Sequence, residues 1–366
     1  MERWERPVES VGMMEFDLSF YRGKRVFVTG HTGFKGSWLC VMLANAGAEV
    51  TGYSTCSERN PSLFDLCGVS RQIVHTRGDV RNLDGLLEAM GKCRPEIVIH
   101  MAAQPIVRES YRNPADTYAV NVMGTVNICE AARRVSGVKS ILNVTTDKVY
   151  FNREWEWGYR ENELLDGYDP YSNSKSCSEL VTHAYANSFF RENRIAVSTA
   201  RAGNVIGGGD FAKNRIIPDC VRAAVRGEPV TVRNPSSVRP YQHVLEPLYA
   251  YLMIAAGQYQ NPGRASWYNV GPDERDCLPT GVLVDLFVKH WGEGLTWQSV
   301  PEAGPHEANL LKLDCSRLKA AFQWRPRWDL DTAVRKVVEW SKVWRDGGDV
   351  QPVMNRQIEQ FLGGNC

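Results

Sequence analysis

The chain has 366 residues, which at roughly 150 residues per domain allows about two domains. Its 43 Lys and Arg against 42 Asp and Glu leave a formal charge of +1, so there is no basic footprint for nucleic acid. A hydrophobic share of 43% with 23% charged residues excludes a disordered chain, and no uncharged apolar run reaches the roughly 18 residues of a membrane span.

Residues 1–22 read as a loose leader. The stretch 1–15 mixes charge with Trp4 and Pro7, lacks an apolar signal core, and offers Met14 as an alternative start. From Gly23 the pattern becomes regular. A β-rich run at 25–29 ends in Gly30, and 36–47 reads as a helix with Trp38, Leu39, Val41, Met42 and Leu43 as its apolar residues. A strand at 49–53, a helix at 83–93, a strand at 95–101, a helix at 118–135 and a strand at 140–145 follow, then a helix at 174–192 and a strand at 195–200. This alternation predicts a parallel, doubly wound α/β sheet with right-handed crossovers and helices on both faces. The second half is richer in Gly, Pro and Trp, with helices expected at 216–226, 244–256 and 330–344 and a strand at 266–270. It reads as a smaller α/β lobe, and the lack of a linker near Gly203 predicts that the two lobes interleave. Ten cysteines run from Cys40 to Cys366 without a CxxC pair. Zinc and redox motifs are therefore disfavoured, no metal is expected, and reduced thiols of a cytoplasmic protein are.

Thr29-Gly30-His31-Thr32-Gly33-Phe34-Lys35-Gly36 joins the first strand to the first helix. Three glycines at this spacing suit a dinucleotide turn: one for the bend, one for backbone approach to a pyrophosphate, one for helix–sheet packing. One βα unit later, Asp79 of Gly78-Asp79-Val80 either accepts from an adenine amino group or caps the next helix. Met101-Ala102-Ala103-Gln104 ends the third predicted strand, where small residues let the backbone pass close to a cofactor. After the second strand, where an acid usually holds the adenosine ribose, the chain reads Tyr53-Ser54-Thr55-Cys56, and the nearest acid is Glu58. Tyr171 and Lys175 form YxxxK, a spacing that puts both on one helical face. An ammonium near a phenol lowers its pKa from about 10, and such a tyrosine removes a hydroxyl proton while hydride leaves the same carbon. Ordinary surface helices also produce this spacing. Upstream, Thr146 can bond the hydroxyl being oxidised, and Asp147 is either a general acid or the cap of a turn. Asn121 orders a water, bends its helix or stands exposed.

The glycine loop, the Thr ahead of a YxxxK helix and the total length resemble the extended short-chain dehydrogenase/reductase family, the NAD-dependent epimerases and dehydratases, from Lys24 to about Trp344. Within that family, several strings resemble the CDP-glucose branch of the sugar-nucleotide 4,6-dehydratases. They include Val28 through Trp38, His100-Met101-Ala102-Ala103-Gln104-Pro105, Asn152-Arg153-Glu154-Trp155, Arg201 through Asp210, Arg239 through Pro247, and Leu311-Lys312-Leu313-Asp314. Most such dehydratases carry Thr-Asp-Glu at the active site; Thr146-Asp147-Lys148 matches the branch that carries Lys. Tyr241 stands where that branch has Trp.

The resemblance implies a Rossmann-type sheet with an interleaved substrate lobe, divided as 23–203 plus 244–271 for NAD and 204–243 plus 272–366 for the sugar nucleotide. It implies NAD on Gly30, His31, Thr32, Gly33, Phe34, Lys35, Gly36, Asp79, Val80, Ala102, Ala103, Gln104, Asn121, Tyr171 and Lys175. It implies CDP-glucose as the small-molecule partner on Gln104, Thr146, Asn204, Arg215, Arg239 and His306, with no nucleic-acid or membrane partner. Arg239 is the best candidate for the diphosphate, since a guanidinium forks onto phosphate oxygens; Arg222, Arg226 and Arg233 read as solvated charge. His306 either faces the nucleotide or sits in an ordinary polar loop. Catalysis falls to Thr146, Asp147, Lys148, Tyr171 and Lys175: oxidation at C4, loss of water across C5–C6 with Asp147 protonating the C6 oxygen, and reduction at C6 with NAD restored. An ammonium cannot take the C5 proton, so Lys148 is either neutral or, as we favour, a cation that stabilises the enolate or orients a water. The family also implies a homodimer, or a dimer of dimers, through helices 118–135 and 174–192.

Overall fold

A computed structural model describes residues 16–55, 60–300 and 310–363. Short runs of branched and aromatic residues form the strands Arg25–Thr29 (β1), Glu49–Ser54 (β2), Val74–Arg77 (β3), Ile97–His100 (β4), Ser140–Val144 (β5) and Ala196–Ala202 (β6). With Trp267–Val270 they make one seven-stranded sheet, ordered Trp267–Val270, β6, β5, β4, β1, β2, β3, and every pairing is parallel. β4, β5 and β6 are buried along their whole length because helices cover both faces. β3 is the exposed, polar edge strand, and its lack of apolar alternation left it without a sequence signal. The strand order reverses between β4 and β1. That places a crevice at the C-terminal ends of these two strands, where Gly30 and Met101 sit.

The helix Phe34–Asn45 is buried from Gly36 to Leu43. It packs against the sheet, against Leu245–Gln260 and against Val350–Gly363, which explains why its apolar residues run almost all round. A second core gathers Ile217, Val221, Val232, Leu283, Phe287 and Val334 in the smaller lobe. Trp38 ties the glycine-loop helix to that side of the molecule by donating to the Gly208 carbonyl at 3.0 Å.

Three expectations are corrected. Residues 16–22 are not loose: Leu18–Tyr21 forms a helical turn capped by Asp17, Tyr21 donates to the Leu252 carbonyl at 2.7 Å, and Phe16 packs on Tyr249. Residues 272–366 do not all build the second lobe. Ser316–Phe322 and Val350–Gly363 pack on the core of the large sheet, because Leu318, Met354, Ile358 and Phe361 face it. The helix expected over 118–135 starts at Pro114 and carries a π-turn at Ala119–Met123 before it continues as Gly124–Arg134.

Candidate active site

Tyr171 lies inside a helix, Pro170–Tyr185, that begins four residues before the expected start. Asp169 accepts from the Ser172 N–H at 3.0 Å and Pro170 occupies the first turn, so cap and proline together fix the helix start. Tyr171 and Lys175 therefore share one face, and Glu179 and His183 continue it. The face looks toward the end of β5. Lys175 Nζ donates to the Val144 carbonyl at 3.1 Å. Beyond Val144 the chain turns at Thr145 and Thr146, and Thr146 Oγ1 donates to Asp147 Oδ1 at 2.9 Å.

A cleft of about 310 Å³ opens here between the lobes. Of the expected site residues, it brings together Phe34, Lys35, Thr146, Asp147, Lys148, Tyr171, Asn204, Arg215 and Arg239. Asp147 is buried, and its Oδ2 has no hydrogen-bond partner among the described residues; Gly203 lies against that oxygen, where a side chain would collide with it. Burial raises the Asp147 carboxyl above the usual range, while Lys148, Thr146 and Arg239 act against the rise. Burial pushes the Tyr171 phenol up to about 12, against the opposing pull of Thr146 and Arg215. The lowered phenol expected from YxxxK is thus corrected for the protein alone: Lys175 spends its bond on Val144, and burial outweighs the nearby cations. Lys175 is itself pushed down to about 7 by burial and by the charge of Lys35.

The other expected residues lie outside the walls of the cleft. Gly30, Gly33 and Gly36 form the turn behind it. Gly30 has φ +75°, and a β-carbon there would stand 2.7 Å from the Ala102 nitrogen; one at Gly36 would overlap the Gly30 carbonyl. Ala102 and Met101 are drawn to this turn by donating to Thr29 Oγ1 at 3.2 and 3.1 Å, with Ala103 next in the chain. His31 turns its ring into the protein, against Phe64 and 2.6 Å from His75 Nδ1, so its side chain is a core group and not a ligand. Thr32 bonds Ser54 Oγ at 2.9 Å. Asp79 is gripped by Arg81, whose hydrogen bonds lower the carboxyl; the helix cap weighed for Asp79 belongs to Asn82 instead. Val80 is buried, and its carbonyl accepts from Asn127 at 2.9 Å. Gln104 is corrected as a substrate group: its amide is committed to Ile106 and Thr117. Asn121 sits on the π-turn and clamps the Gln104 backbone, accepting from its N–H at 2.8 Å and donating to its carbonyl at 3.1 Å. His306 and Glu58 lie outside the described residues. Arg222 pairs with Asp219 and Arg226 with Glu228, but Arg233, read as solvated, lines the cleft.

Several supporting residues were missed. Thr29 and Thr125 bracket His100, which burial drives down to about 3 and so keeps neutral. Glu179 accepts from Thr145, from Thr199 at 2.7 Å and from Arg201 at 2.8 Å; burial opposes its charge, yet Arg201 and its other donors hold it at about 2. Arg201 also donates to Tyr150, whose hydroxyl reaches Asn269 at 2.6 Å. The i, i+4 continuation from Lys175 was the signal for Glu179.

The glycine turn fits a dinucleotide. Gly33 caps the helix Phe34–Asn45 without any side-chain bond, so the first N–H groups of that helix are left for a ligand, and the missing side chains at Gly30 and Gly36 let the turn close tightly on the Ala102 and His31 backbone. Among the described residues no cluster could hold a metal ion, and no helix is long and apolar enough to cross a membrane. The eight described cysteines that stand free include none paired in a disulfide.

Residues 26–271 match the model of the NAD dependent epimerase/dehydratase family. The chain is 46% identical over 352 residues to CDP-glucose 4,6-dehydratase of Salmonella typhimurium, covering 94% of this chain and 98% of that one. It is 28% identical to a probable dTDP-glucose 4,6-dehydratase of Sinorhizobium fredii, covering 86% and 92%. Its fold is similar to that of UDP-glucose 4-epimerase of Thermotoga maritima solved with UDP-glucose, with TM-score 0.76, 22% identity and coverage of 87% and 98%. It is also similar to dTDP-glucose 4,6-dehydratase of Bacillus anthracis in complex with NAD, with TM-score 0.74, 18% identity and coverage of 90% and 100%. Sheet order, glycine turn and family match agree, and the chain belongs to the NAD dependent epimerase/dehydratase family.

Proposed function

We propose that this protein removes water from CDP-glucose to give CDP-4-keto-6-deoxyglucose, a step that supplies deoxysugars such as those of the O-antigen of lipopolysaccharide. The reading rests on one observation above the rest: a buried carboxyl with a raised pKa, Asp147, shares a cleft with Thr146, Lys148 and Tyr171. An epimerase needs the Thr and Tyr but has no use for a carboxylic acid aimed at the C6 oxygen. The identity to the Salmonella dehydratase supports CDP-glucose as the substrate.

The protein's groups divide the work. Tyr171 takes the proton of the C4 hydroxyl, with Thr146 orienting that hydroxyl and Lys175 placed one turn along to favour the phenolate. NAD, held on the glycine turn, supplies a reversible hydride acceptor when bound. Once C4 is a ketone, the C5 proton is acidic, and a water oriented by Lys148 takes it; the same water gives a proton back to C5 when hydride re-enters at C6. Asp147, whose carboxyl burial shifts toward the protonated form, then gives its proton to the departing C6 oxygen, and Lys148 faces the negative charge that develops on the sugar. Arg239 and Arg215 hold the diphosphate, Asn204 lines the same wall, and Asp79 receives the adenine end of the dinucleotide.

We place the enzyme in the cytoplasm as a homodimer or a dimer of dimers. Met123, Leu180 and Phe189 are exposed apolar residues on the two candidate interface helices and support that assembly; sedimentation as monomer alone would count against it. Incubation with CDP-, dTDP-, UDP- and GDP-glucose, followed by product mass, tests the reaction. Loss of one water from CDP-glucose is expected. A product of unchanged mass contradicts the reading.

A further inference from the structure

Gly203 follows β6 directly and lines the cleft with Asp147 and Asn204. Its backbone does not call for glycine, because its φ lies outside the left-handed region that disfavours side chains. Space is the reason instead. A β-carbon there would overlap Asp147 Oδ2, and it would stand 2.7 Å from Asp147 Cγ and 3.0 Å from Pro240 Cγ.

The chain is pinned on both sides of this point, so it cannot draw back from the carboxyl. Before Gly203, the Ala200 carbonyl accepts from the Thr145 N–H at 2.9 Å, and Ala202 pairs with Val270 in the sheet. After it, the Asn204 carbonyl accepts from the Gln242 N–H at 3.2 Å, and Val205 pairs with Gln242. The acid is held from its own side as well. Asp147 Oδ1 accepts from Thr146 Oγ1 at 2.9 Å, while Oδ2, without a partner among the described residues, fills the space that Gly203 leaves.

We propose that Gly203 is a positioning residue for the acid of this site. Its missing side chain reserves the place of Asp147 Oδ2, and that place decides whether a sugar oxidised at C4 goes on to lose its C6 oxygen. The proposal rests on the functional reading above, in which Asp147 protonates that oxygen. Oxidation at C4 belongs to Tyr171, Thr146 and Lys175, and none of these is among the atoms closest to a β-carbon at Gly203. A side chain at this position therefore separates the two halves of the reaction. It turns the carboxyl away and leaves the C4 chemistry in place.

The test is Gly203→Ala in the full chain with NAD and CDP-glucose. Reduced nicotinamide formed in the first turnover reports oxidation at C4, product mass reports loss of water, and calorimetry with CDP reports binding. Water loss falls about a hundredfold, while C4 oxidation and CDP affinity stay within about threefold of wild type. Asp147→Ala empties the space that the new methyl needs, so on that background Gly203→Ala adds a loss of less than about twofold. In a variant that binds CDP, three results overturn the proposal: water loss at the wild-type rate, C4 oxidation falling in parallel with water loss, or a full further loss on the Asp147→Ala background. If Gly203→Ala binds no CDP and Asp147→Ala restores binding, the collision lies at the carboxyl and the proposal stands; binding lost in both overturns it. Wild-type protein that removes no water from CDP-glucose overturns the functional reading, and the proposal with it.

Discussion

Asp147 joins three facts that seldom coincide in a structural carboxyl: full burial, one oxygen without a partner among the described residues, and a place on the wall of a cleft lined by Lys148, Arg215 and Arg239. Burial favours the protonated form of such a carboxyl, which can give its proton away. Asp147→Asn keeps the shape and removes the acid. It is expected to slow dehydration about a hundredfold or more while CDP binding stays within twofold, as rates and calorimetry would show. In the wild type the working form is protonated, so the dehydration rate falls as pH rises through the Asp147 pKa, and the asparagine variant loses that limb. A variant that dehydrates at the wild-type rate removes Asp147 from the chemistry. At this scale the sequence pointed to Thr146, Asp147, Tyr171 and Lys175 because short motifs place reactive groups one helical turn, or one residue, apart. It misplaced His31 and Gln104 for a physical reason: whether a polar side chain faces the ligand or the core depends on what packs beside it. Phe64 and His75 claim the first, Ile106 and Thr117 the second.

The helix Pro170–Tyr185 presents a row of polar groups to the sheet, and Glu179 holds its middle. Glu179→Gln leaves the Arg201 guanidinium buried without its counter-charge and is expected to cost about 3–5 kcal/mol of stability by urea unfolding. A loss below about 1 kcal/mol would show that Arg201 finds its bonds elsewhere. Three histidines are buried neutral along the sheet and its flanking loops: His31 at about 4, His100 at about 3 and His243 at about 3, each pushed down chiefly by burial. In the unfolded chain they take up protons near 6.5. The unfolded state binds more protons below that value, so the histidines weaken the fold as pH drops from about 6.5 toward 4. Carboxylates such as Glu179 lose their contribution only below 4.5, so a decline between about pH 6.5 and 5 belongs to the histidines. A flat urea midpoint across that window contradicts this account. Strands β1, β4, β5 and β6 were legible because apolar runs alternate with helical periods. β3 was not, since Val74–Arg77 is a short exposed edge whose place is set by pairing with β2.

Across the molecule, the interleaving of the lobes places the crevice of the sheet against arginines of the smaller lobe. Arg215, Arg233 and Arg239 lie far from the glycine turn in sequence and meet it only because the segment carrying Leu245–Gln260 returns to the sheet. That return was readable from the apolar stretch after Val244. The docking of Val350–Gly363 on the same core was not, because the helix has an ordinary amphipathic pattern that says nothing of which lobe it covers. The architecture closes a small, charged cleft, which suits the proposed reaction: oxidation at C4 and loss of the C6 oxygen without release of an intermediate. Reaction of CDP-glucose in deuterium oxide tests this most directly. The account predicts a product that has lost one water and gained one deuterium at C5, where the proton was removed and replaced from solvent. A product that keeps the C6 oxygen, with or without inversion at C4, would contradict it.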